Sequence, residues 1–223
     1  HFKYIADRPV TFDGTTQELQ PAHWIGKTLL TDDEELSIGI LRMLDCGSSN
    51  AFEALNAINN DVHKSINTLY SIFKLSKDEA RKLLIAKGLT EKQADFVLLY
   101  THCNEPEALM ITSEDMIGKS GVWGHFGSWN FERADIYFNV RGMAKDDGIN
   151  YMREKFNYTR DRAEQIYFDV TAITDPRIGN AWVAPWPSYV SGVGGCSVSG
   201  EIVTCNNGVQ NQPLQIIVNL TDY

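Results

Sequence analysis

The feature that most limits the fold is a train of helix start signals between Thr31 and Tyr100. Thr31-x-x-Glu34, Ser76-x-x-Glu79 and Thr90-x-x-Gln93 each set a hydroxyl three residues before a Glu or Gln. That spacing lets the two side chains satisfy each other's free backbone N–H groups at a helix N-terminus, so three helices are expected to begin there. Between the first two boxes, Val62, Ile66, Leu69, Tyr70 and Phe73 recur at helical spacing and should bury one face. Gly47 and Gly88 read as helix stops. The acidic run Asp32-Asp33-Glu34-Glu35 suits a first helical turn, where carboxylates complement the dipole, better than a cation site.

Further along, Ala108 to Thr112 is a short apolar run after Pro106 that reads as a buried strand, and Ser113 reads as an N-cap. Helical periodicity returns at Phe131 to Val140, around Ile149 to Phe156, and from Arg160 to about Val170, where Ala163, Ile166, Tyr167 and Val170 share a face. After Asp175-Pro176 the composition shifts to Gly, Pro, Ser, Asn and β-branched residues, and Leu214, Ile216, Val218 and Leu220 alternate at period two. The expected class is α+β: a mainly helical core over 1–175, then a smaller antiparallel β-rich region over 176–223.

With 223 residues and 43% hydrophobic content, the chain can build one sizeable core, or a core with an appended lobe. A net charge of −9 argues against nucleic acid as a partner, since neutralising phosphates takes a clustered surplus of Lys and Arg. No stretch approaches the ~18 consecutive apolar residues of a membrane span, and His1-Phe2-Lys3-Tyr4 lacks the apolar core of a signal peptide. Taken alone, the chain reads as soluble.

None of the four cysteines falls in a C-x-x-C spacing. Cys196 and Cys205 bracket a hairpin. A two-residue loop at Gly200-Glu201 would set them opposite each other and permit a disulfide, whereas a loop at Ser199-Gly200 would pair Cys196 with Val203 and forbid it. The first register is favoured, and with it an oxidising compartment; two buried free thiols are the competing reading. Cys46 and Cys103 could form a second pair, but they lie in separate helical regions and their spacing gives no geometry.

Ser113 to Trp129 is the least ordinary segment. A helix starting at Ser113 would put Met116, Lys119 and Trp123 on one face, able to line one pocket. Gly118, Gly121, Gly124 and Gly127 recur every third residue, each costing ~1 kcal/mol against alanine in a helix, which points to close backbone approach or a bend. A core helix with Met and Trp buried and Lys reaching to solvent accounts for the same spacing. Trp182, Trp186 and Tyr189 lie in a proline-stiffened stretch suited to stacking on sugars or peptides, with core anchoring the plainer account. The His residues show no metal-ligand spacing, and no Ser or Cys sits in a nucleophile motif, so covalent catalysis is not expected of this chain alone.

Three stretches carry a resemblance to a known family. Lys3-Tyr4-Ile5-Ala6-Asp7-Arg8-Pro9-Val10-Thr11-Phe12-Asp13-Gly14 looks like the segment following the Trp-Trp-Asp-Tyr-Gly signature of oligosaccharyltransferase catalytic subunits, although the signature itself is absent. The likeness continues through Ala22-His23-Trp24-Ile25-Gly26-Lys27 and is strongest from Ile111 to Asn130. The chain thus resembles the soluble, outward-facing C-terminal domain of a single-subunit oligosaccharyltransferase, which transfers a lipid-linked oligosaccharide to Asn in Asn-X-Ser/Thr sequons. In that family a motif on a bent helix helps hold the +2 Ser or Thr of the acceptor. It reads Asp-x-x-Lys-x-x-x-Met/Ile in eukaryotes and many archaea, and Met-x-x-Ile-x-x-x-Ile/Val/Trp in typical bacteria. Here Met116-x-x-Lys119-x-x-x-Trp123 is a hybrid, and Asp115, four residues before Lys119, could supply the missing carboxylate.

The resemblance implies that catalysis lies outside this chain. A divalent metal, Mn or Mg, and the catalytic carboxylates would sit on the transmembrane half, and this domain would face the periplasm or the archaeal exterior. A free-standing carbohydrate-binding or adhesion module, using the Trp182 to Tyr189 loop, and a structural ectodomain without a ligand site are the rival readings. The chain also carries two acceptor sequons of its own, Asn157-Tyr158-Thr159 and Asn219-Leu220-Thr221. Asn157 is expected in an exposed turn and Asn219 in a paired terminal strand, which favours Asn157 as an acceptor.

Overall fold

The computed structural model describes residues 20–104, 116 and 119–184, together with the backbone of strands at 196–199, 202–205 and 218–219. The first half is a set of packed helices: α1 (Gln20–Leu30), α2 (Glu34–Gly47), α3 (Asn50–Asn59), α4 (Val62–Ile72), α5 (Lys77–Ala86) and α6 (Glu91–Thr101). Ile40, Met43, Leu55, Ile66, Leu69, Ile72, Leu84 and Leu98 are fully buried at their centre, with Trp24 of α1 inserted among them. The α4 face falls as its spacing predicts, with Phe73 buried and Tyr70 half-buried, except that Val62 is 44% exposed at the first turn.

Two of the three expected capping boxes form. Ser76 accepts from the Glu79 N–H while the Glu79 carboxylate accepts from the Ser76 N–H, and Thr90 and Gln93 pair in the same way. The Thr31 box does not. Asp33 caps α2 instead, its carboxylate accepting from the Leu36 N–H at 3.1 Å, while the Thr31 hydroxyl accepts from the Asp33 N–H at 3.1 Å. Aspartate is at least as good an N-cap as threonine, and two residues later it leaves Glu34 and Glu35 in the first turn. Gly88 stops α5 in the left-handed region at φ +98.

A disulfide joins Cys46, near the end of α2, to Cys103, just past α6, with Cα atoms 5.9 Å apart and 57 residues of separation. Around it, the Arg42 guanidinium donates to the Thr101 carbonyl at 2.8 Å, and His102 Nε2 donates to the Leu75 carbonyl at 3.0 Å. The bond and these contacts fix the chain leaving α6.

Helix α7 (Ser120–Gly127) follows, then α8 (Phe131–Asn139) with a 3-10 turn at Val140–Gly142, α9 (Lys145–Phe156) and α10 (Arg160–Thr171). These last build a second core from Ile136, Val140, Ile149, Met152, Ala163 and Val170. The two cores meet along α4 and α8. There Lys155 bridges Asp61 at 2.9 Å and Asp135 at 2.7 Å, and the His63 ring packs edge-on against Phe156.

The α+β expectation is overturned. Residues 176–183, assigned to a β-rich region, instead form helix α11 (Pro176–Val183), with Asp175 as N-cap and proline in the first turn. Asp-Pro is itself a helix start signal, because proline's missing N–H would have no intrahelical partner there. Beyond α11 the described strand content is three short antiparallel segments in the order β1 (Cys196–Ser199), β2 (Ile202–Cys205), β3 (Val218–Asn219). Helices dominate the described residues, and the class is helical. The β1–β2 register does set Cys196 opposite Cys205 and leaves two residues between Ser199 and Ile202; the two cysteine side chains lie outside the described residues. The strand expected at Ala108 to Thr112 and the cap at Ser113 also lie outside them.

Candidate functional site

The hybrid motif converges on the start of α7, so what holds that helix decides the site. Lys119 is its N-cap residue, and the Lys119 carbonyl accepts from the Val122 N–H at 2.9 Å. A single helix from Ser113 carrying all three motif residues is not what the described residues show: α7 begins at Ser120, so Lys119 caps the helix and Trp123 lies one turn inside it. Met116 is helical and half-buried, Lys119 exposed and Trp123 half-buried. Asp115 lies outside the described residues.

Gly121, Gly124 and Gly127 are buried in α7, and the reason for glycine is plain at the last of them. A Cβ on Gly26 of α1 would lie 2.5 Å from both the Gly127 nitrogen and the Trp123 carbonyl oxygen. The two helix backbones are in direct contact, which only glycine at the crossing allows. Trp123 is therefore placed by its own main chain resting on α1.

His23, one turn before Gly26, fastens the same junction. Its Nδ1 donates to the Phe126 carbonyl of α7 at 2.9 Å, which leaves Nε2 to accept from the Tyr70 hydroxyl of α4 at 2.8 Å. Burial pushes its pKa down to about 4, outweighing the bond to Phe126, so the ring is neutral. Burial likewise raises the Tyr70 hydroxyl, keeping it a proton donor. His23 also meets Phe131 edge-on at 4.8 Å and Trp24 at 4.9 Å. One imidazole thus links α1, α4 and α7.

The far end of α7 is tied to α11. His125 Nε2 accepts from the Asn180 amide at 3.2 Å, and burial lowers the His125 pKa. Arg133 donates to the Trp182 carbonyl at 3.0 Å with its guanidinium 5.5 Å from the Trp182 ring centre. Trp182 is therefore a helical residue packed on the second core, not part of an exposed loop platform; Trp186 and Tyr189 lie outside the described residues. An open cavity of about 700 Å³ between α8 and α11 is lined by Trp129, Tyr137, Phe138, Arg141 and Asn180 among others. It does not include the motif residues.

His23 and Gly26 carried no local sign of their role, because their partners in α7 lie about a hundred positions away. The glycine period at 118–127 marked one side of the contact and left the other unmarked. Among the described residues no three His, Cys, Asp or Glu converge to hold a metal ion. Nor is any helix there long and apolar enough to cross a membrane.

The chain is 38% identical over 136 residues to the dolichyl-phosphooligosaccharide-protein glycotransferase of Methanocaldococcus jannaschii, a match covering 58% of the chain and 15% of that protein. It is similar to archaeal oligosaccharyltransferases. The protein of the same name from Methanococcus voltae is 31% identical over 137 residues, with the same coverage. The chain therefore matches only about 15% of the length of these oligosaccharyltransferase relatives. No protein-family model matches it, and no solved structure does.

Proposed function

We propose that this chain is the sequon-reading domain of an archaeal-type oligosaccharyltransferase, which transfers a lipid-linked oligosaccharide to the Asn of Asn-X-Ser/Thr. The observation carrying the proposal is the joint one: 38% identity to a dolichyl-phosphooligosaccharide-protein glycotransferase, and a motif whose Lys119 caps, and whose Trp123 lies within, a helix with a clamped backbone. In this reading Met116, Lys119 and Trp123 contact the +2 Ser or Thr of the acceptor, and Asp115 offers Lys119 a carboxylate. The half-buried Met and Trp supply an apolar wall for the threonine methyl, and the exposed Lys a charged rim. The domain faces the extracytoplasmic side of a membrane-anchored enzyme.

The divalent metal, Mn or Mg, belongs to the rest of the full-length protein. When bound it would polarise the acceptor amide and stabilise the departing lipid diphosphate. This chain's part is positioning. A site built on rigid elements holds its geometry better than one on a free loop, and the α1–α7 crossing gives Trp123 such a base.

Transfer kinetics in the full-length enzyme test the assignment. Lys119→Ala should lower kcat/KM for an Asn-X-Thr peptide by roughly tenfold or more, as expected when a contact to the reacting substrate is removed. Folding should not change, because an exposed lysine contributes little to stability. Unaltered kcat/KM in Lys119→Ala and in Met116→Ala would remove the motif from the acceptor site.

A further inference from the structure

We infer that Asn157 is itself a glycan acceptor, modified before the corner between α9 and α10 closes; this rests on the extracytoplasmic reading above. Asn157-Tyr158-Thr159 is an acceptor tripeptide, and Asn157 is exposed at the C-cap of α9 in the left-handed region, φ 56 and ψ 35. Its side-chain amide makes no hydrogen bond to the described residues. It sits at a helix-to-helix turn, where a bulky substituent projects into solvent without displacing packed atoms. The second tripeptide differs, since Asn219 is backbone-paired with Ile202 in β3.

The folded turn is also why timing matters. The Thr159 hydroxyl is the N-cap of α10 and accepts from the Arg162 N–H at 3.4 Å. Tyr158 donates to the Glu132 carboxylate, and the Arg162 guanidinium lies 4.0 Å from the Tyr158 ring centre. All three residues of the tripeptide are therefore committed to one turn: Asn157 by its left-handed backbone, Tyr158 by its contacts and Thr159 by its cap. A transferase needs the Asn amide and the +2 hydroxyl presented together on an extended chain, a conformation this turn excludes. The reaction belongs to the chain before α10 docks. The Asn157 nitrogen forms a bond to the anomeric carbon of the lipid-linked glycan, the bond from that carbon to the lipid diphosphate breaks with its electron pair leaving on the diphosphate, and the nitrogen gives up one proton.

Glycopeptide mass spectrometry on the full-length protein purified from its native host tests the inference, alongside transfer by the same preparation to a reporter Asn-X-Thr peptide. Glycan on Asn157, with Asn219 bare, is expected. Asn157→Gly, which keeps the left-handed turn, should lose the mass, and Thr159→Ser, which keeps both cap and hydroxyl, should retain it. A synthetic peptide spanning 152–164 should be modified roughly tenfold faster than the folded unglycosylated protein, because local opening limits access in the latter. A bare Asn157, or glycan on Asn219 alone, overturns the inference whether or not the reporter is modified. Glycan on Asn157 in a preparation unable to modify the reporter would uphold it and remove the transferase reading instead.

Discussion

Placing a methyl group at the α1–α7 crossing is the most direct challenge to the clamp. In Gly26→Ala the new Cβ would stand 2.5 Å from the Gly127 nitrogen and the Trp123 carbonyl oxygen, where real contacts do not fall below 3.0 Å. The helices must part by about 0.5 Å, and since both obstacles are main chain, no rotamer change relieves them. Overpacking of this kind costs ~1–3 kcal/mol, and loosening the bond from His23 to the Phe126 carbonyl adds ~1 kcal/mol. Replacing a helical glycine by alanine returns ~1 kcal/mol. The net loss is therefore about 1–3 kcal/mol, or ~2–4 °C in Tm per kcal/mol for a chain of this size. Urea denaturation of the 223-residue chain measures it. Gly142→Ala is the control, since nothing lies within 4 Å of a Cβ there, and it should shift stability by less than ~0.5 kcal/mol. If Gly26→Ala proves as stable as the parent, the backbone contact is not what holds α7.

Two further perturbations address what surrounds the clamp. The His23 pKa of about 4 lies below its ordinary 6.5, so the unfolded chain takes up the proton first: the ring's contribution is complete above pH 6.5 and is lost as pH falls toward 4. Between pH 7.5 and pH 5 the parent should lose ~2 kcal/mol more than His23→Gln in urea titrations, and parallel pH profiles would show that the ring is not held neutral. Cys46→Ser removes a cross-link spanning 57 residues, which should cost ~4 kcal/mol by the chain-entropy relation; a midpoint unchanged from that of the oxidised parent would mean the bond does not constrain the unfolded chain.

What the sequence discloses follows from how local each signal is. Ser76, Thr90, the acidic first turn of α2, Ala163 with Val170, and the solvent-facing Asn157 were all readable because their partners lie within a turn or two. The Thr31 box misled because Asp33 competes for the same role two residues later. The β-rich expectation extended the period-two alternation of Leu214 to Leu220 back to residue 176 on Gly, Pro, Ser, Asn and β-branched content, and Gly, Pro and Asn mark loops and caps as readily as strands, so Asp175-Pro176 was passed over as a helix start. In the candidate site, the glycine period foretold a close approach, but the cap at Lys119 and the shortened α7 did not follow from the motif spacing. His23 was invisible, since a lone histidine acquires its meaning only from Phe126 and Tyr70 across the fold.

The separation of 103 residues between His23 and Phe126 bears on how the protein is made. A chain synthesised from its N-terminus delivers α1 long before α7 exists, so Gly26 and His23 must wait through the emergence of α2 to α6 for their partner. In that interval the disulfide-linked helices can assemble from contacts closed over shorter loops, whose entropy cost is smaller. The seat of Trp123 thus forms after the helices before it, on a platform already assembled.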